Sequence, residues 1–194
     1  MVELVEDTVE AGPLVLRILR PPDADSLIDE ARFAEDEFMP YWAELWKSGV
    51  ALATVVAERD VRGARVVELG CGLGLPSVAA ALGGGEVLAT DWAPEALGVT
   101  RRNAERNGAR VETLLVDWAR PEALLERAPF DLVLCADVLY EPRNVDALLA
   151  LLPRLGDEVL LAEPGRATAG RFFEGAEEAW RIGREGEVSV LRRR

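Results

Sequence analysis

The chain has no histidine and only two cysteines, and these shortages exclude several kinds of site. Structural zinc is held by clusters of cysteine and histidine side chains. Cys71 and Cys135 stand alone in the sequence, so we expect no metal site. Both cysteines fall in apolar segments with the composition of a protein interior. This use of cysteine is typical of a protein kept reduced in the cytoplasm.

Long apolar runs and an excess of basic residues are also missing. No stretch reaches the ~20 apolar residues that span a bilayer, and the acidic N-terminus lacks the basic region of a signal peptide. Lysine and arginine number 22 against 35 acidic residues, which gives a formal net charge of −13. We therefore expect a cytoplasmic protein that binds no membrane and no nucleic acid, because nucleic acid requires a basic face.

The residues that are present have the composition of a folded domain. The 194 residues are 49% hydrophobic, which is enough to bury a substantial core. We expect a monomer with one domain over residues 47–194 and an N-terminal extension, residues 1–46, that packs on it. Within the extension, residues 14–19 are predicted to form a strand and residues 27–38 a short helix or a loop.

The most informative stretch is a strand, a glycine turn, a helix and a second strand that ends on an acid. Residues 65–69 and 86–90 have strand composition, and residues 75–82 have helical composition. Between the first strand and the helix, residues 70–74 place glycine at every second position. This βαβ order is typical of nucleotide-binding units. The alternative is an ordinary tight connection with Asp91 as a helix cap, because glycine motifs alone are weak signals.

Each residue type in this unit has a chemical task. Gly70, Gly72 and Gly74 let the backbone approach a ligand without a Cβ in the way. Asp91, about 20 residues beyond the glycines, can accept hydrogen bonds from both hydroxyls of a ribose. The adjacent Trp92 belongs to the same predicted site. The unit therefore predicts a cofactor that carries a ribose.

The details of the turn indicate which cofactor this is. Glycine at every second position differs from the Gly-x-Gly-x-x-Gly found around a dinucleotide pyrophosphate, and no Gly-Lys-Ser/Thr follows for a triphosphate. Glu68, just before the turn, suits a cationic amino-acid headgroup. S-Adenosyl-L-methionine carries a ribose, an adenine, an α-ammonium and a sulfonium but no phosphate. We therefore predict it as the cofactor.

Strands and helices continue to alternate along the rest of the chain. Helices are predicted at residues 49–58, 94–107, 121–127, 145–152 and 169–178, and strands at residues 111–116, 130–136, 158–162, 180–183 and 187–192. The predicted fold class is α/β, a Rossmann-like, doubly wound seven-stranded sheet that is mostly parallel with an antiparallel C-terminal strand. Acids or glycines follow five consecutive strands, at the sheet edge where such folds bind ligands. Helix-capping acids explain any one of them but explain the set poorly.

An aromatic segment precedes the first helix of the predicted domain. Four aromatic residues lie within residues 38–46 of a chain that is 6% aromatic. They either pin the extension to the core or wall the cavity for cofactor and substrate, where an aromatic face attracts a sulfonium or an amine. Both interpretations can hold.

Taken together, these motifs resemble the class I, seven-strand methyltransferases, and among them the family-16-type protein lysine methyltransferases. The resemblance rests on Pro-Tyr-Trp-Ala at residues 40–43, on Glu68 with the glycine turn, and on the Asp-x-x-Tyr motif of Asp137 and Tyr140. Glu-Pro-Gly-Arg at residues 163–166 is similar to an Asp-Pro-Gly-Arg segment in the branch that methylates the electron-transfer flavoprotein β-subunit. Glutamate stands here where that branch has aspartate.

The resemblance implies an S-adenosylmethionine-dependent enzyme that leaves S-adenosyl-L-homocysteine and acts on a protein with an accessible lysine. By the same resemblance, the residues that line the cofactor are Trp46, Gly70, Gly72, Asp91, Trp118 and Ala136. Trp118 can stack on the adenine, while Asp117 can accept a hydrogen bond from its N6. The small Ala136 leaves room near the methionine tail.

The candidate catalytic residues follow from the chemistry of methyl transfer to nitrogen. The leaving thioether is neutral and needs no acid, so the enzyme has to supply a deprotonated amine aimed at the methyl group. Without histidine, proton acceptance falls to a carboxylate, a tyrosine or water. We expect Asp137 to accept hydrogen bonds from the amine and Tyr140 to shape the channel. The alternative is that Asp137 caps a helix and Tyr140 only packs.

Three other functions stay open on the sequence alone. A small-molecule N- or O-methyltransferase uses the same cofactor, an NAD(P)-dependent oxidoreductase uses a related βαβ unit, and a non-catalytic module binds the cofactor without turnover. The chain has no obvious lid domain beyond residues 1–46, which favours a macromolecular acceptor at an open site. Its acidic body is consistent with a basic region around a target lysine.

Overall fold

The computed structural model describes residues 3–23, 27 and 40–194. The strands are β1 (Val5–Ala11), β2 (Leu14–Arg20), β3 (Arg65–Leu69), β4 (Glu86–Asp91), β5 (Glu112–Leu115), β6 (Leu132–Ala136), β7 (Glu158–Ala162), β8 (Trp180–Glu185) and β9 (Val188–Arg193). The α-helices are α1 (Lys47–Ala57), α2 (Leu75–Leu82), α3 (Pro94–Arg106), α4 (Glu122–Leu125), α5 (Pro142–Leu155) and α6 (Ala169–Ala176). No helix in this described part is long and apolar enough to cross a membrane.

Seven strands form the main sheet, in the order β5-β4-β3-β6-β7-β9-β8. Strands β3 to β7 pair in parallel, whereas β9 runs antiparallel to both of its neighbours, β7 and β8. The predicted fold class is confirmed, including the antiparallel strand at the C-terminal end of the chain.

Helices cover both faces of this sheet, because side chains along each strand alternate between two separate cores. Val66 on β3 and Leu134 on β6 belong to the core on the side of α1, α2 and α3. Val67 and Val133, one position away, belong to the core on the side of α5 and α6. A parallel strand covered on both faces has to be apolar along nearly its whole length. The apolar run at residues 130–136 reflects this double burial.

The order of the strands creates a crevice beside β3. The chain runs outward from β3 to β4 and β5, and then crosses back so that β6 lies on the other side of β3. Leu69 at the end of β3 is accordingly paired with Thr90 of β4 and with Cys135 of β6. Doubly wound sheets bind their ligands at this reversal, outside the carboxyl ends of the strands. The turn after β3 and the loop after β6 therefore face the same crevice.

A second, two-stranded sheet is formed by the N-terminal hairpin. The predicted strand at residues 14–19 is present as β2, but its partner β1 was not predicted. The two strands pair in register from Val5 and Arg20 to Ala11 and Leu14. One face of the hairpin joins the core beside α1 through the side chains of Val9, Ala11, Leu16 and Ile18. The helix or loop predicted at residues 27–38 lies, apart from Leu27, outside the described residues.

Two asparagines, Asn103 in α3 and Asn107 directly after its last residue, fasten the hairpin to this helix. Buried Asn103 accepts a hydrogen bond from the Leu19 amide at 2.7 Å and donates to the carbonyls of Leu19 and Leu73 at 3.1 and 2.8 Å. Asn107, one turn further along and only half-buried, makes the corresponding pair of bonds to the backbone of Arg17 at 2.9 and 2.8 Å. Asn103 thus joins the hairpin, α3 and the glycine turn at one point.

We expect Asn103→Ala to lower the free energy of unfolding by about 2–4 kcal/mol, because it leaves buried backbone groups without a partner. Asn107→Ala removes similar contacts where water can replace them, so we expect a loss of about 1 kcal/mol or less. Urea unfolding followed by tryptophan fluorescence measures both. Equal losses in the two variants would contradict the role of burial.

Candidate active site

The glycine turn at residues 70–74 passes directly over the ends of β3 and β4. The amide of Cys71 donates to the carbonyl of Thr90 at 2.9 Å, and the hydroxyl of Thr100 donates to the carbonyl of Gly72 at 3.0 Å. At Gly74 the backbone is left-handed, with φ of 78°, and a Cβ there would lie 2.6 Å from Cγ2 of Thr100. Only glycine fits that position, because a side chain would be strained and would also clash.

Asp91, the predicted ribose ligand, is held in place by backbone amides. Oδ2 accepts a hydrogen bond from the Gly72 amide at 3.0 Å, and Oδ1 accepts one from the Ala93 amide at 2.9 Å. Burial raises the pKa of this carboxyl, whereas the amide donors act in the opposite direction. Each carboxylate oxygen has a second lone pair, so the group can accept further hydrogen bonds from a ligand in the crevice.

Glu68 lies beneath the turn, at the end of β3. Its Oε2 accepts hydrogen bonds from the amide of Ser77, at 2.9 Å, and from the hydroxyl of the same residue. Burial raises the pKa of Glu68 to about 8, with a contribution from the charge of Asp91. The carboxyl therefore supports the first turn of α2. Its predicted contact with the ammonium of a cofactor stays a prediction.

The cofactor site predicted from the sequence is distributed along the crevice and its rim. Gly70 faces the side chains of Val138 and Trp118. A Cβ on Gly70 would lie 3.3 Å from Cγ1 of Val138 and 3.6 Å from Cζ2 of Trp118. Ala136 is half-buried at the end of β6, while Trp92 is 47% exposed. The crevice floor at Gly70 is thus a cradle that a side chain would fill.

Asp117, the predicted partner of the adenine N6, lies at the surface after β5. Its Oδ1 accepts a hydrogen bond from the Ala119 amide at 2.9 Å, and Oδ2 pairs with Arg120 at 3.0 Å. The hydrogen bond from the Ala119 amide is the main cause that lowers the pKa of the Asp117 carboxyl, and Arg120 adds to it. Trp118 next to it packs against the core on the side of α5 and α6.

Asp137, the carboxylate predicted to accept hydrogen bonds from the amine, forms a bidentate ion pair with Arg166. Nε of Arg166 donates to Oδ1 at 2.8 Å, and Nη2 donates to Oδ2 at 2.7 Å. The Asp137 side chain is 3% exposed, whereas that of Arg166 is 34% exposed. The two residues follow the neighbouring strands β6 and β7, where Ala136 pairs with Ala162. The adjacency of these strands therefore brings the carboxylate and the guanidinium together.

Aromatic rings border this ion pair. The Arg166 guanidinium lies 5.6 Å from the ring centroid of Trp46, whose Nε1 donates to the carbonyl of Tyr41 at 2.8 Å. The ring of Tyr41 meets that of Tyr140 at 5.1 Å, tilted by 57°. Burial, followed by the charge of Glu141, raises the pKa of Tyr140 to about 12. The crevice thus has one carboxylate and three aromatic side chains at its outer end.

Several contributors to this site were not among the predicted site residues. Arg166 stands in the Glu-Pro-Gly-Arg run and Tyr41 in the aromatic segment, so both were visible as motifs without an assigned contact. Ser77, Thr100 and Asn103 carry no motif, because their role depends on which backbone groups the fold places beside them. Within the described residues, no group of three potential metal ligands occurs.

The strand order, the glycine turn and the acid at the end of β4 define the class I methyltransferase fold. The 16S rRNA N2 G1207 methyltransferase of T. thermophilus superposes with a TM-score of 0.68 at 19% identity, over 98% of this chain and 51% of that one. The chain belongs to the lysine methyltransferase family, whose model matches residues 29–178. This match confirms the resemblance found in the sequence.

Two relatives show how the family varies. The electron transfer flavoprotein beta subunit lysine methyltransferase of Xenopus laevis is 37% identical over 137 residues, which cover 66% of this chain and 54% of that protein. The histone-arginine methyltransferase METTL23 of Mus musculus is 28% identical over 135 residues, 66% of this chain and 53% of that protein. The chain therefore spans about half the length of these relatives, and their names differ in the residue that is methylated.

The buried Glu68 predicts a measurable pH dependence of stability. Its pKa in the folded protein, about 8, exceeds the ordinary value of 4.5, so the folded state holds the proton more tightly than the unfolded state. Stability from this group is present below pH 4.5 and declines as the pH rises to about 8. We expect Glu68→Gln to remove roughly 3–5 kcal/mol of this decline.

The measurement is urea unfolding of the parent protein and of Glu68→Gln at the two ends of that pH window. Glu86→Gln, at the exposed start of β4, is the matched control and should retain the parent's decline. A parent and a Glu68→Gln protein with the same pH dependence would show that Glu68 is ionised in the folded state.

Proposed function

We propose that this protein is an S-adenosylmethionine-dependent methyltransferase that transfers a methyl group to a lysine side-chain nitrogen of a protein. The observation that carries this proposal is the meeting of two half-sites in one crevice. The glycine turn with Asp91 lies on one side, and Asp137 with its aromatic border lies on the other. Family membership and the name of the frog relative support the same reaction.

The residues of the first half-site fit a nucleoside that carries no phosphate. Asp91 offers carboxylate lone pairs to two ribose hydroxyls, and Gly70 leaves a cradle beside Trp118 for the rest of the ligand. When bound, S-adenosylmethionine supplies an electrophilic methyl group, and the electrons of the broken C–S bond stay on sulfur as a neutral thioether. No protein acid is therefore needed on that side.

The second half-site serves the acceptor nitrogen. The acceptor ammonium first gives a proton to water, and its lone pair then forms the new C–N bond. Asp137 orients the nitrogen by accepting an N–H hydrogen bond at a lone pair that Arg166 does not use. Because the pKa of Tyr140 is raised to about 12, its phenol keeps its proton near neutral pH and acts as a wall, not as a base.

A protein acceptor is favoured over a small molecule by the charge of the chain and by the relatives. The net charge of −13 attracts a basic segment, and the frog and mouse relatives are both named for protein substrates. A cytoplasmic location, a monomeric state and the absence of nucleic-acid or membrane binding stay predictions from composition.

The test of the proposal uses methyl-labelled S-adenosylmethionine and a cell lysate. We expect one or a few labelled protein bands, with the label recovered as methylated lysine after hydrolysis. Label in arginine, or in small molecules only, would contradict the proposal. Lys47 is the only lysine of the chain, so Lys47→Arg separates labelling of the enzyme's own side chain from labelling of a substrate of similar size.

Asp91 and Asp117 form a matched pair for testing the cofactor site. Asp91 ends β4 and Asp117 lies just after β5, and each accepts a hydrogen bond from the amide two residues further on. We expect Asp91→Ala to weaken S-adenosylhomocysteine binding at least about 100-fold, because two charge-assisted hydrogen bonds to the ribose are lost. Asp117→Ala, which removes at most one bond at an exposed site, should weaken it by about tenfold or less.

Isothermal titration calorimetry measures both affinities, and NADH serves as the negative ligand. Heat with NADH but not with S-adenosylhomocysteine would indicate an oxidoreductase. Unchanged affinity in Asp91→Ala would place the ribose elsewhere.

Asp137→Asn tests the acceptor site. Asparagine tolerates the left-handed backbone at this position, where φ is 54°, so the loop should keep its shape. We expect the rate of methyl transfer to fall about 100-fold or more, with S-adenosylhomocysteine affinity within about threefold of the parent. A loss of cofactor affinity in place of the rate would assign Asp137 to the cofactor site.

A further inference from the structure

Arg166 forms an ion pair with Asp137, the carboxylate that we propose binds the acceptor nitrogen. Both of its donating nitrogens lie within 2.8 Å of the Asp137 oxygens, and the guanidinium carbon lies over the ring of Trp46, 5.6 Å from its centroid. A cation therefore already stands beside the acid in the free protein. The reaction that we propose brings a second cation, the acceptor ammonium, to the same place.

The arrangement is held by contacts on both sides of the ion pair. Oε2 of Glu163 accepts hydrogen bonds from the amides of Gly165 and Arg166, at 2.6 and 3.0 Å, which fixes the loop that carries the guanidinium. The amide of Asp137 donates to the carbonyl of Ala162 at 2.8 Å. Backbone contacts thus hold each partner, so the pair is part of the fold and not a chance contact between surface side chains.

The pairing changes what the carboxylate does to an incoming amine. An unpaired, buried carboxylate favours the charged form of a neighbouring ammonium and raises its pKa, whereas a neighbouring cation lowers it. Methyl transfer requires the neutral amine, because only its lone pair can form the new bond. A carboxylate whose charge is already balanced can orient the nitrogen without holding it in its protonated form.

We propose that Arg166 is a positioning residue that balances the charge of Asp137, so that the acceptor amine is bound in its neutral, reactive form. The inference rests on the proposed function and adds a determinant of its pH dependence. In the proposed methyl transfer, the acceptor ammonium releases its proton to water before its lone pair attacks the methyl group. Arg166 keeps its own charge throughout.

The other charged groups around the pair do not replace Arg166. Its hydrogen bond to Asp137 raises the pKa of Arg166, and Tyr41 and Glu163 lie close enough to act in the same direction. Tyr140, three residues after Asp137 on the loop that follows β6, has a pKa that burial, Glu141 and Asp91 raise and Arg143 lowers. The carboxylates among these groups favour a protonated acceptor. Arg143 acts on Tyr140. The charge that opposes them at Asp137 is therefore that of Arg166.

The experiment compares parent, Arg166→Gln and Arg166→Lys in the rate of methyl transfer at saturating S-adenosylmethionine and acceptor, across neutral to alkaline pH. The acceptor is the purified polypeptide labelled by the parent in a lysate. We expect the rising limb of the Arg166→Gln profile to move about one pH unit upward. Its rate is then about tenfold below the parent at neutral pH and within about twofold of it at the alkaline plateau. Arg166→Lys, which keeps the charge, should retain the parent's limb.

Arg127→Gln is the matched control. Arg127 forms a bidentate pair with Glu112, at 2.8 and 2.6 Å, at the opposite end of the sheet, so its loss should leave the pH profile unchanged. S-Adenosylhomocysteine affinity of Arg166→Gln should stay within about threefold of the parent. A uniform loss of rate at every pH would assign Arg166 a purely structural role. Higher rates at every pH would show that it competes with the acceptor.

A second measurement does not depend on turnover. n-Butylamine serves as a probe of the lysine side chain, and its bound pKa is followed by NMR in the presence of S-adenosylhomocysteine. We expect this pKa to be about one unit higher in Arg166→Gln than in the parent. Equal values would overturn the role of Arg166 even if methyl transfer occurs. A shift in a protein that methylates nothing would sustain the charge-balancing role and refute the proposed function alone.

Discussion

The hydrogen bond from the Gly72 amide to the Asp91 carboxylate is the contact on which the site depends. It joins the turn after β3 to the end of β4, at 3.0 Å, and so sets the distance between the backbone cradle and the acid that faces it. A buried carboxylate is tolerated only when donors replace the lost water. Glu68, whose pKa of about 8 keeps it mostly protonated near neutral pH, also accepts a hydrogen bond from an amide, that of Ser77. The floor of the crevice is thus built from acids held by amides.

Much of the fold could be predicted because its signals are local. The strands at residues 65–69 and 158–162 and the helix at residues 75–82 have the predicted bounds, since each is a short apolar run between turn residues. Strand β1 was missed for a physical reason. Among its side chains only Val9 and Ala11 are buried, so an acidic segment with few apolar positions gave little sign of a strand.

The site likewise contains some contacts that the sequence predicts and others that only the fold reveals. Asp91 and the glycines lie within one βαβ unit, so their spacing along the chain already predicts that they meet. The contact between Asp137 and Arg166 cannot be predicted from spacing, because it depends on β6 and β7 being neighbours in the sheet. The contact between Tyr41 and Tyr140 depends on how the segment before α1 returns to the crevice. Motifs therefore identified these residues, but only the fold assigns their partners.

The lysine methylation that we propose places two opposing electrostatic demands on the protein. A strongly acidic protein attracts a basic segment, but the same negative charge favours an ammonium that cannot react. The two effects act over different distances, because mobile ions screen exposed charges beyond about 8 Å at physiological ionic strength. The net charge of −13 acts during approach, whereas a bound nitrogen responds mainly to the groups it touches. The proposed balancing of Asp137 by Arg166 would let an acidic surface recruit the substrate while the charge at the reaction centre stays close to neutral.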